Sequence, residues 1–181
     1  MVISDGVFSM LGEIQDVGKM QKIVSEYRDA YEEGIITIVD DAHGIGALGT
    51  GRGVEEVTNG RCDLLVGTMG KALGVDGGYV AGDQIFIDYL RESAATYIYS
   101  NPITPGTAAA SLESLELIDS DEGRSLLNQL RENIRYFKEK VATLGFKLAV
   151  DSSHPIQPIL IGDPVKTRTL VDALFEEGIL T

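Results

Sequence analysis

Short apolar runs alternate along the chain with segments in which apolar residues recur every three or four positions. Three runs have the length and aliphatic character of buried strands: residues 2–4, 35–39 and 64–66. Residues 16–33 predict a helix, which Gly34 is expected to end. Its apolar face comprises Val17, Met20, Ile23, Val24 and Tyr27. This succession predicts an α/β fold with a mostly parallel sheet.

The second half of the chain continues the alternation. Further strands are predicted at residues 77–80, 146–150 and 157–161. Further helices are predicted at residues 84–93, 105–118, 121–144 and 164–177. Residues 121–144 are the clearest amphipathic helix, because their large apolar side chains share one face. The glycine-rich residues 44–53 form a connection long enough to be functional or mobile.

Composition limits the classes of protein to which the chain can belong. Its 181 residues are 44% hydrophobic, enough for one substantial core. Cys62 is the only cysteine, so no intramolecular disulfide can form and a cytoplasmic location is expected. No leader pattern precedes Asp5 and no apolar run approaches ~18 residues, so we expect neither secretion nor a membrane partner. The net charge of −13 argues against nucleic acid as a partner.

Two polar clusters follow predicted strands and carry the candidate chemistry. Residues 39–44 read VDDAHG and residues 67–74 read GTMGKALG. Ligands bind at the carboxyl ends of strands in open α/β sheets. A lysine among glycines, with an acid and a histidine nearby, could hold an aldehyde cofactor as an imine, which suggests pyridoxal phosphate.

Other interpretations of these two clusters have less support in the sequence than a pyridoxal phosphate site. A phosphate-binding Walker loop needs a glycine at the position of Leu65 and a hydroxyl at the position of Ala72. Asp40, Asp41 and His43 could begin a metal site, but two histidines and one cysteine leave few further ligands, so no metal is expected. A solvent-exposed turn lysine is the plain structural alternative for Lys71.

The order of several blocks resembles the α-oxoamine synthases, which are fold-type I, aspartate aminotransferase-like enzymes that use pyridoxal phosphate. The blocks lie at residues 5–10, 39–44, 51–53, 67–74, 77–79, 97–100 and 153–158. The resemblance implies that residues 1–122 belong to the large cofactor domain and residues 123–181 to the start of a small C-terminal α+β domain. It also implies a fragment: relatives extend beyond both ends, so this chain alone is expected to be inactive and to expose apolar surface.

The resemblance assigns roles to four residues near the two clusters. Lys71 matches the imine-forming lysine, and Asp40 matches the carboxylate that pairs with the pyridine nitrogen of the cofactor. Asp41 competes for that role, with a hydrogen-bonded supporting acid as its alternative. His43 matches the histidine that binds the phenolic oxygen of the cofactor.

Further residues match family positions around the cofactor. Thr68 matches the hydroxyl that binds its phosphate, assisted by backbone amides of a turn that opens a helix. Ser9 matches a serine near the ring. Ser100 and Asn101 match positions that reach the cofactor phosphate of the neighbouring subunit, which implies a homodimer with composite active sites. His154 is either close to the substrate or purely structural.

The implied reaction joins a small amino acid to an acyl-CoA and releases CoA. The motifs favour glycine with acetyl-CoA, the reaction of glycine C-acetyltransferase, also called 2-amino-3-ketobutyrate CoA ligase. The alternative is the 8-amino-7-oxononanoate synthase reaction of the biotin pathway, which uses alanine and pimeloyl-CoA and shares most blocks. A non-catalytic partner subunit of the same fold and an ordinary aminotransferase are also compatible with the fold.

Overall fold

The computed structural model describes all 181 residues. The strands are β1 (Val2–Asp5), β2 (Val7–Phe8), β3 (Glu13–Ile14), β4 (Thr37–Asp40), β5 (Leu64–Thr68), β6 (Gly78–Gly82), β7 (Lys147–Leu148) and β8 (Ile159–Leu160). The helices are α1 (Val17–Tyr27), α2 (Val54–Thr58), α3 (Gln84–Ser93), α4 (Ala95–Ile98), α5 (Pro105–Asp119), α6 (Asp121–Thr143) and α7 (Pro164–Glu176). None of these helices combines the length and apolar character needed to cross a membrane.

The central sheet has four strands in the order β1, β4, β5, β6. β1, β4 and β5 are parallel, as predicted, and Asp5 pairs with Asp40, which in turn pairs with Val66. β6 runs antiparallel to β5. The connection between them is shorter than the dozen or more residues that a parallel crossover requires, so the chain returns as a hairpin.

Helix α1 covers one face of this sheet and completes the main core. Asp16 begins the helix, because its carboxylate accepts the backbone N–H of Lys19 at 2.8 Å. The core cluster contains Val17, Met20, Val24, Val39, Val54 and Cys62. The predicted extension of the helix to residue 33 is wrong: a 3-10 turn follows at Arg28–Ala30, where no side chain is buried to stabilise further α-helix.

Helices α5 and α6 meet at the single residue Ser120. Its hydroxyl accepts the N–H of Gly123 at 3.1 Å and donates to the carbonyl of Leu117 at 2.6 Å. A Cβ at Gly123 would lie 2.2 Å from that carbonyl oxygen, so only glycine allows the two helices to approach this closely. The corner is therefore both capped and tightly packed.

The glycine-rich loop at residues 44–53 is fixed at several points. Ile45 and Arg52 form an isolated antiparallel bridge across it. Arg131 of α6 donates to the carbonyl of Gly49, and Arg52 forms an ion pair with Asp119 at 3.1 Å. The loop thus connects the sheet to α5 and α6.

Two predictions about the C-terminal part need correction. The strands predicted at residues 146–150 and 157–161 are shorter in the structure, where β7 and β8 have two residues each and pair antiparallel. The intervening residues instead use their polar groups in contacts with other parts of the chain.

Large apolar side chains are exposed, as expected for this chain. The set on α3, α4 and the following loop includes Ile85, Tyr89, Tyr97, Ile98 and Tyr99.

Candidate active site

The predicted clusters meet at one edge of the central sheet, which we call the carboxyl edge and define by Asp40 and Thr68. Asp40 is the last residue of β4 and Thr68 is the last residue of β5. The two strands are parallel neighbours, so the loops carrying His43 and Lys71 leave the sheet side by side.

Asp40 presents an accessible carboxylate at this edge. Its Oδ1 accepts the backbone N–H of Ala42 at 3.0 Å, and its residue is exposed. Its backbone carbonyl accepts the N–H of Gly6 at 2.7 Å, which ties the end of β4 to the chain after β1. The second carboxylate oxygen is free of hydrogen bonds within the chain and can accept one from a ligand.

His43 is half-buried. Burial is the main cause that lowers the pKa of its imidazole, and the positive charge of Lys71 lowers it further. The carboxylates of Asp40 and Asp5 oppose this shift. His43 is therefore neutral at pH 7, and it lies within electrostatic reach of Lys71 and Asp40.

Lys71 is exposed on a loop that its own hydrogen bonds close. The N–H of Met69 donates to Gly77 at 2.9 Å, and the N–H of Val75 donates to Met69 at 2.8 Å. Gly74 donates back to the Lys71 carbonyl at 3.0 Å. The expected helix after Thr68 is absent, because this stretch forms the turn of the β5–β6 hairpin. Helical amides therefore do not assist a phosphate here.

The Thr68 hydroxyl is part of the same turn. It donates to the carbonyl of Gly77 at 3.2 Å and accepts the N–H of Gly70 at 3.1 Å. The donated bond is longer than the usual range for a hydrogen bond between a hydroxyl and a carbonyl oxygen. Rotation of the hydroxyl would release its proton to a phosphate oxygen at the cost of this weak bond.

Asp41 differs sharply from its neighbour, because it is fully buried. Its Oδ2 accepts the N–H of Val54 at 2.7 Å, whereas its Oδ1 has no hydrogen-bond partner. A Cβ at Gly6, Gly44 or Gly53 would lie 2.0 to 2.5 Å from these carboxylate oxygens. Burial raises the pKa of Asp41 to about 6. Asp41 thus packs against the chain at Gly6 and against both ends of the glycine-rich loop at residues 44–53, and Asp40 is the acid that a ligand can reach.

The remaining predicted residues lie outside this group. Ser9 is exposed in the turn between β2 and β3. Ser100 and Asn101 are exposed after α4, and the Ser100 hydroxyl bonds only the carbonyl of Asn101, at 3.5 Å. None of the three forms a side-chain hydrogen bond with the residues at the carboxyl edge. Their family roles remain predictions.

His154 has a closer connection with the site than the sequence indicated. It is 2% exposed, and its Nε2 lies 2.8 Å from the carbonyl oxygen of His43. The two rings meet edge to face, with centroids 6.4 Å apart. The only signal in the sequence was its place in the block SHPIQP.

Comparison with known proteins gives consistent matches. The family model described as aminotransferase class I and II matches residues 1–181. The 8-amino-7-oxononanoate synthase of Thermoanaerobacter pseudethanolicus is 40% identical over 182 residues, which cover 99% of this chain and 44% of that protein. The chain therefore spans less than half the length of this curated relative.

Solved structures match with similar coverage. The 8-amino-7-oxononanoate synthase of Francisella tularensis has a TM-score of 0.83 and 30% identity, and the match covers 98% of this chain and 51% of that one. A serine palmitoyltransferase from S. paucimobilis, with PLP and myriocin bound, has a TM-score of 0.84 and 25% identity, covering 99% and 45%. The resemblance to the α-oxoamine synthases and the fold-type I architecture are confirmed.

Proposed function

Because the chain belongs to the aminotransferase class I and II family, we propose that its protein is a pyridoxal phosphate-dependent acyltransferase that joins a small amino acid to an acyl-CoA. The observation that carries the proposal is the grouping of Asp40, His43 and Lys71 at the carboxyl edge of the sheet. The PLP-bound serine palmitoyltransferase with the same fold supports the choice of cofactor.

The expected preference for glycine and acetyl-CoA is replaced by the alternative. The curated relative and the Francisella structure are both named 8-amino-7-oxononanoate synthase. We therefore place alanine and pimeloyl-CoA first. The motifs that suggested glycine are shared between the two branches, so they could not separate the substrates.

The donors and acceptors present fit pyridoxal phosphate. Asp40 has a free carboxylate oxygen for a protonated ring nitrogen, and His43 has a neutral imidazole for a phenolic oxygen. Lys71 offers an exposed amine for the aldehyde, and Thr68 offers a hydroxyl for the phosphate. When bound, the cofactor supplies a carbonyl for covalent attachment of amines and a ring that accepts electrons from the amino acid.

Each residue has a distinct task in this proposal. Lys71 Nζ would hold the cofactor and would accept the α-proton of the amino acid. The negative charge of Asp40 would keep the ring nitrogen protonated, so that the ring can accept electrons when the amino acid loses its α-proton. His43 remains uncharged and orients the ring through a hydrogen bond. Burial, which is the main cause that lowers the pKa of His43, favours this neutral form.

A CoA-release assay tests the proposal on the full-length protein. Alanine, glycine and serine are each combined with pimeloyl-, acetyl-, succinyl- and palmitoyl-CoA, and Lys71→Ala is the control. The fastest release is expected with alanine and pimeloyl-CoA. Faster release with glycine and acetyl-CoA would restore the glycine C-acetyltransferase assignment. Amino-group transfer to a keto acid without CoA release would show an aminotransferase and refute the proposal.

A further inference from the structure

The hydrogen bonds around His154 determine its protonation state. The backbone N–H of Ile156 lies 3.1 Å from Nδ1 and can only donate, so Nδ1 must be an unprotonated acceptor. The proton therefore resides on Nε2, which donates it to the carbonyl of His43 at 2.8 Å. A doubly protonated ring would set two N–H groups against each other at Nδ1. Burial, which lowers the pKa of His154, favours the same neutral form.

The segment that carries His154 is itself fixed to two further elements. The N–H of His154 donates to the hydroxyl of Ser152 at 3.1 Å, and that hydroxyl donates to the carbonyl of Gly12 at 2.5 Å. Gln157 Nε2 donates to the carbonyls of both Ser152 and His154, at 2.9 and 2.6 Å. Lys138 of α6 donates to the carbonyl of Ser152 at 3.1 Å. The main chain around His154 is therefore held in place by several hydrogen bonds.

The turn at His43 is closed by its neighbours, because the N–H groups of Gly44 and Ile45 both donate to the carbonyl of Asp41 at 3.1 Å. The carbonyl of His43 itself has no such local partner. Residue 43 lies in a turn after β4, outside any helix or strand. No backbone N–H donates to its carbonyl, so Nε2 of His154 is the sole hydrogen-bond donor there. The bond joins residues 111 positions apart. The orientation of the His43 carbonyl, and with it the peptide that carries the ring, thus depends on the C-terminal segment.

We infer that His154 is a positioning residue, which orients the peptide of His43 at the carboxyl edge through its Nε2–H and so makes the placement of the His43 ring depend on docking of residues 152–157. The catalytic consequence rests on the proposed function of His43, whereas the link itself does not. Placement of a ring that orients a cofactor matters, because misplacement by ~1 Å can cost on the order of a hundredfold in rate.

A matched pair of substitutions separates the effect of the hydrogen bond between His154 and His43 from the effect of filling the buried site with a side chain. The side-chain amide of His154→Gln can place an N–H where Nε2 lies and keep the bond to His43. The amide of His154→Asn corresponds in position to Nδ1, so it can accept from Ile156 but cannot reach His43. Ser152→Ala is a third variant. It removes the hydroxyl that bonds the carbonyl of Gly12 and the N–H of His154, and it leaves both imidazole rings unchanged.

The main readout is the NMR titration of the imidazole signals, assigned by comparison with His43→Gln and His154→Gln. In the unsubstituted protein, His154 should show the Nε2–H tautomer and stay neutral from about pH 5.5 to 8. This range extends about one pH unit or more to either side of the pKa of an ordinary histidine. The His43 midpoint should rise toward the ordinary value in His154→Asn and Ser152→Ala, because the freed peptide becomes more hydrated. The groups acting on it are Lys71, Asp40 and Asp5, and they are unchanged. His154→Gln should keep the original midpoint.

Turnover of the full-length protein gives the second readout. His154→Asn should lose on the order of tenfold to a hundredfold in kcat, with KM for the acyl-CoA nearly unchanged, and His154→Gln should recover most of it. Circular dichroism confirms that each variant is folded. Equal His43 midpoints in the Asn and Gln variants, or an Nδ1–H tautomer of His154, would overturn the inference. The expected NMR shifts without CoA release would instead refute the proposed function and leave the link standing.

Discussion

The buried carboxyl of Asp41 predicts an unusual dependence of stability on pH. Its side chain is fully buried, its Oδ1 has no partner, and burial raises the pKa from the ordinary value of 3.8 to about 6. A carboxyl of this kind binds its proton more tightly in the folded state than in the unfolded state. Its contribution to stability is therefore fully present below pH 3.8, and it is lost as the pH rises through about 6.

The magnitude follows from the two pKa values. Between 3.8 and about 6, at ~1.36 kcal/mol per pH unit, the folded state loses about 3 kcal/mol relative to the protonated form. For a chain of this size that corresponds to a difference in Tm of about 6 to 12 °C. Other carboxylates whose pKa is lowered on folding make the free energy of unfolding rise with pH, which is the opposite sign. The effect of Asp41 must therefore be measured as a difference between the unsubstituted protein and a variant that lacks this carboxyl.

Asp41→Asn removes this titration while an amide oxygen can still accept the N–H of Val54. Urea unfolding at several pH values from 4.5 to 7.5 measures the free energy of both proteins. The difference between them should change by most of the 3 kcal/mol over this range, in favour of the Asn variant at high pH. Asp76→Asn, at an exposed position, controls for the loss of one charge. A difference independent of pH would show that Asp41 is ionised in its pocket without penalty.

Three further predictions concern the cofactor, the packing and the assembly. Borohydride reduction of full-length protein with pyridoxal phosphate should place the pyridoxyl mass on the Lys71 peptide; its recovery on another lysine would contradict the assignment. Gly60→Ala should cost about 1 to 3 kcal/mol in urea unfolding, because its Cβ would lie 2.3 Å from the backbone nitrogen of Gly18, whereas Gly106→Ala, with nothing nearer than 3.9 Å, should be close to neutral. The full-length protein should be a homodimer in which residues 97–101 reach the partner's site, and a fully active monomer in light scattering would disprove this.

The grouping of Asp40, His43 and Lys71 could be predicted because it follows from local patterns and one rule of topology. Each apolar run stops at the first polar residue of a cluster, so the strand ends are visible in the sequence. Parallel strands present their carboxyl ends on the same edge. The connection after Thr68 was also informative, since it is too short for a parallel crossover, but its glycines and lysine resembled the start of a helix.

The burial of Asp41 and the link from His154 could not be predicted in the same way. The resemblance assigned the cofactor role to Asp40, but the full burial of Asp41 arises from the close approach of the chain at Gly6, Gly44 and Gly53, which no local pattern shows. The bond from His154 to His43 joins distant parts of the chain, so no window of sequence contains both partners. The same holds for the end of α1, where lack of tertiary burial stops a helix that the apolar spacing would continue.

The corner at Ser120 fixes the direction in which α6 leaves α5. The helix has 23 residues and, at ~1.5 Å per residue, a length of about 34 Å. Its side chains form hydrogen bonds at two points along that length: Arg131 donates to the carbonyl of Gly49, and Lys138 donates to the carbonyl of Ser152. A single rigid helix therefore connects the corner, the glycine-rich loop after β4 and the segment that carries His154, so these three parts of the chain are held at fixed distances from one another.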